Sequence, residues 1–134
     1  RVEMMLEVRS DSNELLDTFP QQVIESVRPE IETLRLTLTA KQVSRSQPTD
    51  CTPFMIDLIE GAAQAVHYSS MRMPSGAGHD AVYVSKTGPM GMIFIPCFNG
   101  RSHCPEEWIN PQQLLDGTRV LYETIVRLDQ SLPR

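Results

Sequence analysis

Apolar and polar side chains alternate along the first eight positions of the chain, a pattern typical of a strand with one buried face. Val2, Met4 and Leu6 fall on one face, whereas Glu3 and Glu7 fall on the other. Further along, apolar residues recur at every third or fourth position, which predicts an amphipathic helix. Its apolar stripe contains Leu15, Phe19, Val23, Val27, Ile31 and Leu34.

Two prolines interrupt this helical stretch, and alternation returns after it. Pro20 and Pro29 each remove a backbone donor and crowd the preceding turn, so each predicts a kink or a restart of the helix. Residues 36–40 alternate again and predict a second strand. Residues 1–43 are therefore predicted to form a β-α-β unit.

A polar segment separates this unit from the second half of the chain. Residues 44–53 contain two prolines and predict a linker at a domain boundary. Residues 54–66 and 80–85 predict helices, whereas the apolar run at residues 92–95 is typical of a strand buried on both faces. A last helix should begin at Asn110, which is followed by a first-turn proline and a capping glutamine. The predicted fold class is α/β.

Composition narrows the classes of partner. The chain has 134 residues and a net charge of -5, with 40% hydrophobic and 22% charged residues. These values predict a globular, water-soluble protein, and the acidic balance argues against nucleic acid or an anionic membrane as a partner. No apolar run approaches the roughly 20 residues that span a bilayer. Three cysteines without a Cys-x-x-Cys pair predict free thiols in the cytoplasm.

The start of the chain has its own implication. It begins at Arg1, without an initiator methionine or a signal-peptide pattern, and already inside a strand pattern. We interpret the sequence as a piece taken from a longer protein.

Three histidines and one arginine are candidates for chemistry. His79 follows a glycine-rich turn near a predicted helix start, where backbone N–H groups can bind an anion. His103 lies in a loop with carboxylates, which suits a metal ligand or an acid–base group. Arg9, on the polar face of the first strand, is either solvated or a bidentate clamp on a carboxylate. His67 follows an apolar helix face and suggests no role.

Other interpretations of the same loop stay open. Cys104 beside His103 could act as a nucleophile, although adjacent side chains rarely meet and no third orienting group is evident. Cys97, His103 and Cys104 could also form a soft metal site. The residues by themselves do not specify a reaction.

Three sequence phrases, in this order, carry a resemblance to a known family. They are Met-Pro-Ser-Gly-Ala-Gly-His-Asp-Ala at residues 73–81, Gly-Met-Ile-Phe-Ile-Pro at 91–96 and Gly-Arg-Ser-His-Cys-Pro-Glu-Glu at 100–107. Together they resemble the C-terminal signature of dinuclear-metal amidohydrolases that include N-carbamoyl-L-amino-acid hydrolase, allantoate amidohydrolase and β-ureidopropionase. These belong to the aminoacylase and carboxypeptidase-like metallopeptidase superfamily.

The resemblance implies a division of the chain, because a lid domain interrupts the catalytic domain in that family. Residues 1–43 correspond to a β-α-β half of a ferredoxin-like lid and dimerisation domain. Residues 44–53 correspond to a linker, and residues 54–134 to the C-terminal α/β segment of the catalytic domain. A homodimer through the lid strands, including a strand-swapped form, is implied as well.

The resemblance also assigns roles to four residues. His103 matches the family's last metal ligand. Gly78 and His79 match positions that bind the substrate near the scissile group. Arg9 matches the lid arginine that holds the substrate carboxylate; the acidic residue two positions before it is usually aspartate and here is Glu7.

For the whole enzyme, the resemblance implies two divalent metal ions, zinc or manganese, that share a bridging water. A glutamate takes the proton, and the hydroxide attacks the carbamoyl carbon of a ureido acid. The other metal ligands and this glutamate have no counterpart in the sequence, and catalytic sites normally use three protein ligands. We therefore predict that the chain alone is inactive and holds no metal firmly.

Two alternative functions remain. One is a deacylase of the metallopeptidase or aminoacylase type, and the other is a non-catalytic dimerisation or interaction module. The Ser-Gly-Ala-Gly-His-Asp phrase favours hydrolysis of a carbamoyl C–N bond over deacylation.

Overall fold

The computed structural model describes residues 1–133, and in it the chain forms helices joined by long irregular segments. Helix α1 spans Asn13–Thr33, α2 spans Pro53–Ala65, α3 spans Ala81–Val84, α4 spans Pro111–Ser131, and a 3₁₀ turn spans Phe98–Gly100. Within the described part of the chain, no helix is both long and apolar enough to cross a membrane.

Two compact units make up the chain. The first consists of Arg1–Asp50 and Pro74–Gly78, and the second consists of Cys51–Met73 and the residues from His79 onward. The glycine-rich turn thus belongs to the same unit as the start of the chain, although many residues separate them in sequence. Which parts correspond to a lid, a linker and a catalytic segment stays a prediction.

The predicted α/β fold class, with its β-α-β half-lid, is wrong: residues 1–133 contain no strand. The expected side-chain patterns are present at residues 2–8, 36–40 and 92–95, but these segments form no β-ladder. Alternation predicts which face a strand would bury, whereas a strand also needs a partner for its backbone N–H and C=O groups. No described segment supplies that partner, and Val2 and Met4 are 83% and 90% exposed.

Helix α1 is continuous through both of its prolines, so the predicted restart does not occur. It begins where the sequence predicts, with the Ser12 hydroxyl accepting a hydrogen bond from the Leu15 N–H at 3.3 Å. None of its residues is buried. Each proline removes one backbone hydrogen bond, at an exposed position for Pro29 and at a half-buried position for Pro20.

The core of the second unit lies between α2 and α4. Ala62, Ala63 and Val120 are its buried residues, and the partly buried residues packed around them are Ile59, Val66, Tyr68 and Ile93. The small side chains on α2 let the two helix backbones approach closely. The Thr124 hydroxyl, also buried, donates to the Val120 carbonyl at 2.7 Å, so its burial leaves no polar atom unpaired.

Polar contacts fix both ends of this helix pair. The predicted start of α4 is confirmed: Asn110 forms a capping box. Thr52, which caps α2, exchanges two hydrogen bonds with the backbone of Met90, at 2.7 and 2.9 Å. The Tyr68 hydroxyl donates to Asp116 on α4 at 2.6 Å. This hydrogen bond is the main cause that lowers the pKa of the Asp116 carboxyl.

His67, two positions after the end of α2, has a backbone conformation that glycine prefers. His67 has φ +64°, and its exposed side chain has no packing to lose. We expect His67→Gly to raise the free energy of unfolding by about 0.5–1 kcal/mol, because glycine adopts this conformation without steric cost. Gln64→Gly, at an exposed position within α2, is the control and should lower it by about 1 kcal/mol. Urea denaturation measures both, and a lowered midpoint for His67→Gly would contradict the expectation.

Candidate functional site

Arg9 is held from two directions in the first unit. Its Nε donates to Glu7 Oε1 at 2.9 Å, and its Nη1 donates to the Gly76 carbonyl oxygen at 2.8 Å. The second contact joins positions 67 residues apart. It links Arg9 to the turn that carries Gly78, so two of the sequence-predicted substrate positions lie in one local structure.

Both charges of the Arg9–Glu7 pair are stabilised by this contact. The hydrogen bond from Arg9, together with its positive charge, lowers the pKa of the Glu7 carboxyl. The same hydrogen bond and charge attraction raise the pKa of Arg9. A permanent positive charge is what a site for a substrate carboxylate requires. Neither pKa shift implies a gain in folding stability, because both side chains are largely exposed.

Both glycines of the glycine-rich turn have free space where a side chain would begin. A Cβ built on Gly76 or on Gly78 would meet nothing within 4 Å. Arg9 contacts the Gly76 carbonyl, whereas the Cβ side of both glycines is uncovered. The predicted role of Gly78 in substrate binding stays a prediction, and the geometry of its own unit leaves room for it.

His79 lines an apolar groove in the second unit. The groove has a volume of about 710 Å³, and the ring centroid of His79 lies 6.3 Å from that of Phe94, which also lines it. The apolar segment that was predicted as a strand forms one wall, and α4 contributes Leu114, Leu121, Ile125 and Leu128. Because α3 has four residues, the expected helix start next to His79 provides only one short turn.

His103 lies in a tight exposed turn. Its φ is +57°, a conformation that few residues other than glycine adopt, and its backbone N–H donates to Glu107 Oε2 at 2.8 Å. The Glu107 N–H in turn donates to the Cys104 carbonyl at 3.0 Å. His103 is not among the residues that line the groove of His79.

The resemblance implies two metal ions, which would need several histidine, cysteine, aspartate or glutamate side chains close together. Among residues 1–133, no group of three or more histidine, cysteine, aspartate or glutamate side chains could hold a metal ion. The soft site from Cys97, His103 and Cys104 is therefore not formed, and all three cysteines are free thiols, as expected. The described residues do not fit a complete metal centre. The role of His103 as one ligand stays a prediction.

Each unit contains one contact that the sequence does not predict. One is the Gly76 carbonyl on Arg9, and the other is the Glu107 carboxylate on the His103 backbone. A carbonyl leaves no signal in a sequence. Glu107, four positions after a loop histidine, could have been proposed as a turn cap, but the positive φ of His103 that makes the cap necessary appears only in the structure.

Comparisons with known proteins identify the family. Residues 5–127 match the model of Peptidase family M20/M25/M40. An N-carbamoyl-L-amino acid amidohydrolase from Geobacillus stearothermophilus is 32% identical over 134 residues, 97% of this chain and 32% of the relative. A ureidoglycolate hydrolase from Arabidopsis thaliana is 38% identical over 88 residues, 66% of this chain and 18% of the relative.

A solved structure agrees with these relatives. An amidase of the hydantoinase/carbamoylase family from Burkholderia multivorans has a TM-score of 0.83 and 25% identity, over 88% of this chain and 29% of that one. The chain spans about 30% of the length of the first curated relatives that it matches. The resemblance inferred from the three phrases is confirmed, and the chain belongs to Peptidase family M20/M25/M40.

Proposed function

We propose that this chain forms the part of an amidohydrolase that binds the carboxylate end of a ureido acid, and that the whole protein hydrolyses the carbamoyl C–N bond of that acid. The observation that carries the proposal is the fixed guanidinium of Arg9 beside the turn of Gly78. A planar, permanently charged guanidinium recognises a carboxylate with two hydrogen bonds. The relatives named above, which act on N-carbamoyl amino acids and on ureidoglycolate, support this substrate class.

In this proposal, the residues of the chain bind and orient the substrate. Arg9 fixes the carboxylate, which places the ureido group at a set distance from it and lowers the entropic cost of reaching the reactive geometry. Gly78 lies in the same turn as the Gly76 carbonyl that contacts Arg9. For His79, which belongs to the second unit, we keep the substrate-contacting role that the family resemblance implies. The family is generally metal-dependent, and His103 would contribute a single ligand. Because the described residues form no complete metal centre, we assign no step of the reaction to a metal held by them.

A chimera tests the substrate class. This chain would replace the matched third of the Geobacillus stearothermophilus amidohydrolase, and kcat/KM would be measured for N-carbamoyl-L-alanine and N-acetyl-L-alanine with added zinc or manganese. We expect a preference for the carbamoyl substrate of at least about tenfold, because a site that hydrogen-bonds the terminal NH₂ rejects a methyl group there. Equal rates, or faster hydrolysis of the acetyl substrate, would favour the deacylase function instead.

We also propose that residues 1–43 mediate homodimerisation. Residues 1–133 contain no strand in the single chain, and pairing of lid strands between two copies stays a prediction. Helix α1 offers another surface, because Leu15 and Phe19 on its apolar stripe are 51% and 43% exposed. We expect the chain to dimerise and Phe19→Glu to weaken the dimer at least about tenfold, since a buried apolar contact would become a buried charge. Analytical ultracentrifugation measures this, and a wild-type monomer at high concentration would contradict it.

A further inference from the structure

The contacts around Arg9 fix the orientation of its guanidinium and add little stability. The Arg9 and Glu7 side chains are 62% and 64% exposed, and ion pairs between exposed side chains contribute little to folding. The Gly76 contact, however, comes from a different part of the first unit and acts on a second nitrogen of the same planar group. A planar group held at two of its three nitrogens cannot rotate freely.

The donors that remain define a direction. Glu7 accepts from Nε and the Gly76 carbonyl accepts from one N–H of Nη1, so these two bonds leave the second N–H of Nη1 and both N–H groups of Nη2 for an anion. We propose that Glu7 and the Gly76 carbonyl are positioning groups that aim the free donors of Arg9 at the substrate carboxylate. The inference rests on the proposed function, and it adds two groups to which no comparison assigns a role.

Glu7 therefore affects the affinity for the substrate carboxylate indirectly, because it holds the Arg9 guanidinium in place. Without Glu7, the guanidinium samples several rotamers and must be ordered each time a carboxylate binds. Ordering one long side chain on binding weakens affinity by about two- to tenfold. Glu7→Ala should therefore lose this factor, Glu7→Gln should lose part of it because its amide oxygen still accepts, and Glu7→Asp should retain most of it.

A matched control exists on the same segment. Glu3 forms an exposed ion pair with Arg1, so Glu3→Ala removes an equivalent surface contact without touching Arg9. This control variant should bind the ligand as the wild type does.

Side-chain NMR on the 134-residue chain provides the test. The Nε–Hε signal of Arg9 is followed during titration with N-carbamoyl-L-alanine and, separately, with its carboxamide, which lacks the negative charge. We expect a saturable shift with the acid and none with the carboxamide. In Glu7→Ala the dissociation constant should rise two- to tenfold and Hε should exchange faster with water, whereas Glu7→Asp should restore both.

Each outcome separates this inference from the function on which it rests. If Arg9 responds to the acid and Glu7→Ala binds as tightly as the wild type, the positioning role is overturned and the carboxylate site stands. If Glu3→Ala weakens binding as much as Glu7→Ala, the effect is general to the segment, and the positioning role is again overturned. If the wild-type Arg9 signal does not respond to the acid, the proposed carboxylate site itself fails.

Discussion

Replacing Arg9 with alanine in the chimeric amidohydrolase should raise KM for N-carbamoyl-L-alanine by about 10- to 100-fold, since a hydrogen bond between charged groups contributes about 1.5–3 kcal/mol. The carboxylate lies away from the bond that breaks, so the contact is similar in the ground state and in the transition state. The main effect should therefore fall on KM, and kcat should change less. Arg9→Lys should recover only part of the loss, because an ammonium group cannot form the planar pair.

Steady-state kinetics with the acid and its carboxamide separates recognition of charge from general damage. The carboxamide should be hydrolysed poorly by the parent chimera, and Arg9→Ala should not weaken its hydrolysis further. Arg1→Ala is the matched control, since Arg1 forms a comparable exposed ion pair with Glu3 and has no proposed contact with substrate. A KM within twofold of the parent for Arg9→Ala would remove Arg9 from the site.

The second large effect concerns packing in the second unit. Gly117 lies inside α4, and a Cβ placed on it would lie far closer to Ile95 Cγ2 than two carbon atoms in van der Waals contact. That methyl group is on a β-branched side chain and has little freedom to move away. We expect Gly117→Ala to destabilise the chain by about 1–2 kcal/mol, because overpacking outweighs the gain in helix propensity.

A double-mutant cycle identifies the clash as the cause. With Ile95→Ala in place, Gly117→Ala should become neutral or stabilise the chain by about 0.5–1 kcal/mol, the ordinary helix propensity of alanine over glycine. Gly61→Ala in α2 is the control; its Cβ would lie 3.6 Å from Arg127 Nη1, an ordinary contact, so it should stabilise. If the effects of Ile95→Ala and Gly117→Ala on the free energy of unfolding are additive, the contact between Ile95 and Gly117 is contradicted.

The helices could be predicted from the sequence because their signals are local. The periodicity of apolar residues predicted α1, α2 and α4, and the N-cap residue Asn110 predicted where α4 begins. The strands were predicted wrongly because pairing is not local: alternation at residues 2–8 gives a face but no partner. The restart predicted at Pro20 and Pro29 does not occur, because a helix without buried residues tolerates a missing hydrogen bond.

The sequence allowed the candidate site residues to be named, but it did not allow their contacts to be predicted. Arg9, Gly78, His79 and His103 were named from the motifs of a family that the comparisons confirm, and their roles stay predictions. The link from Arg9 to a carbonyl 67 positions away depends on how the first unit folds. The sequence positions of Arg9 and Gly76 give no indication that the two residues are in contact.

We propose that this chain supplies substrate-binding groups and not a complete catalytic centre. Ammonia release from N-carbamoyl-L-alanine by the purified 134-residue chain, with added zinc or manganese, tests it most directly when the chimera is assayed in parallel. We expect the chimera to release ammonia and the chain alone to release none above buffer. Turnover by the chain alone that a chelator abolishes would contradict the account.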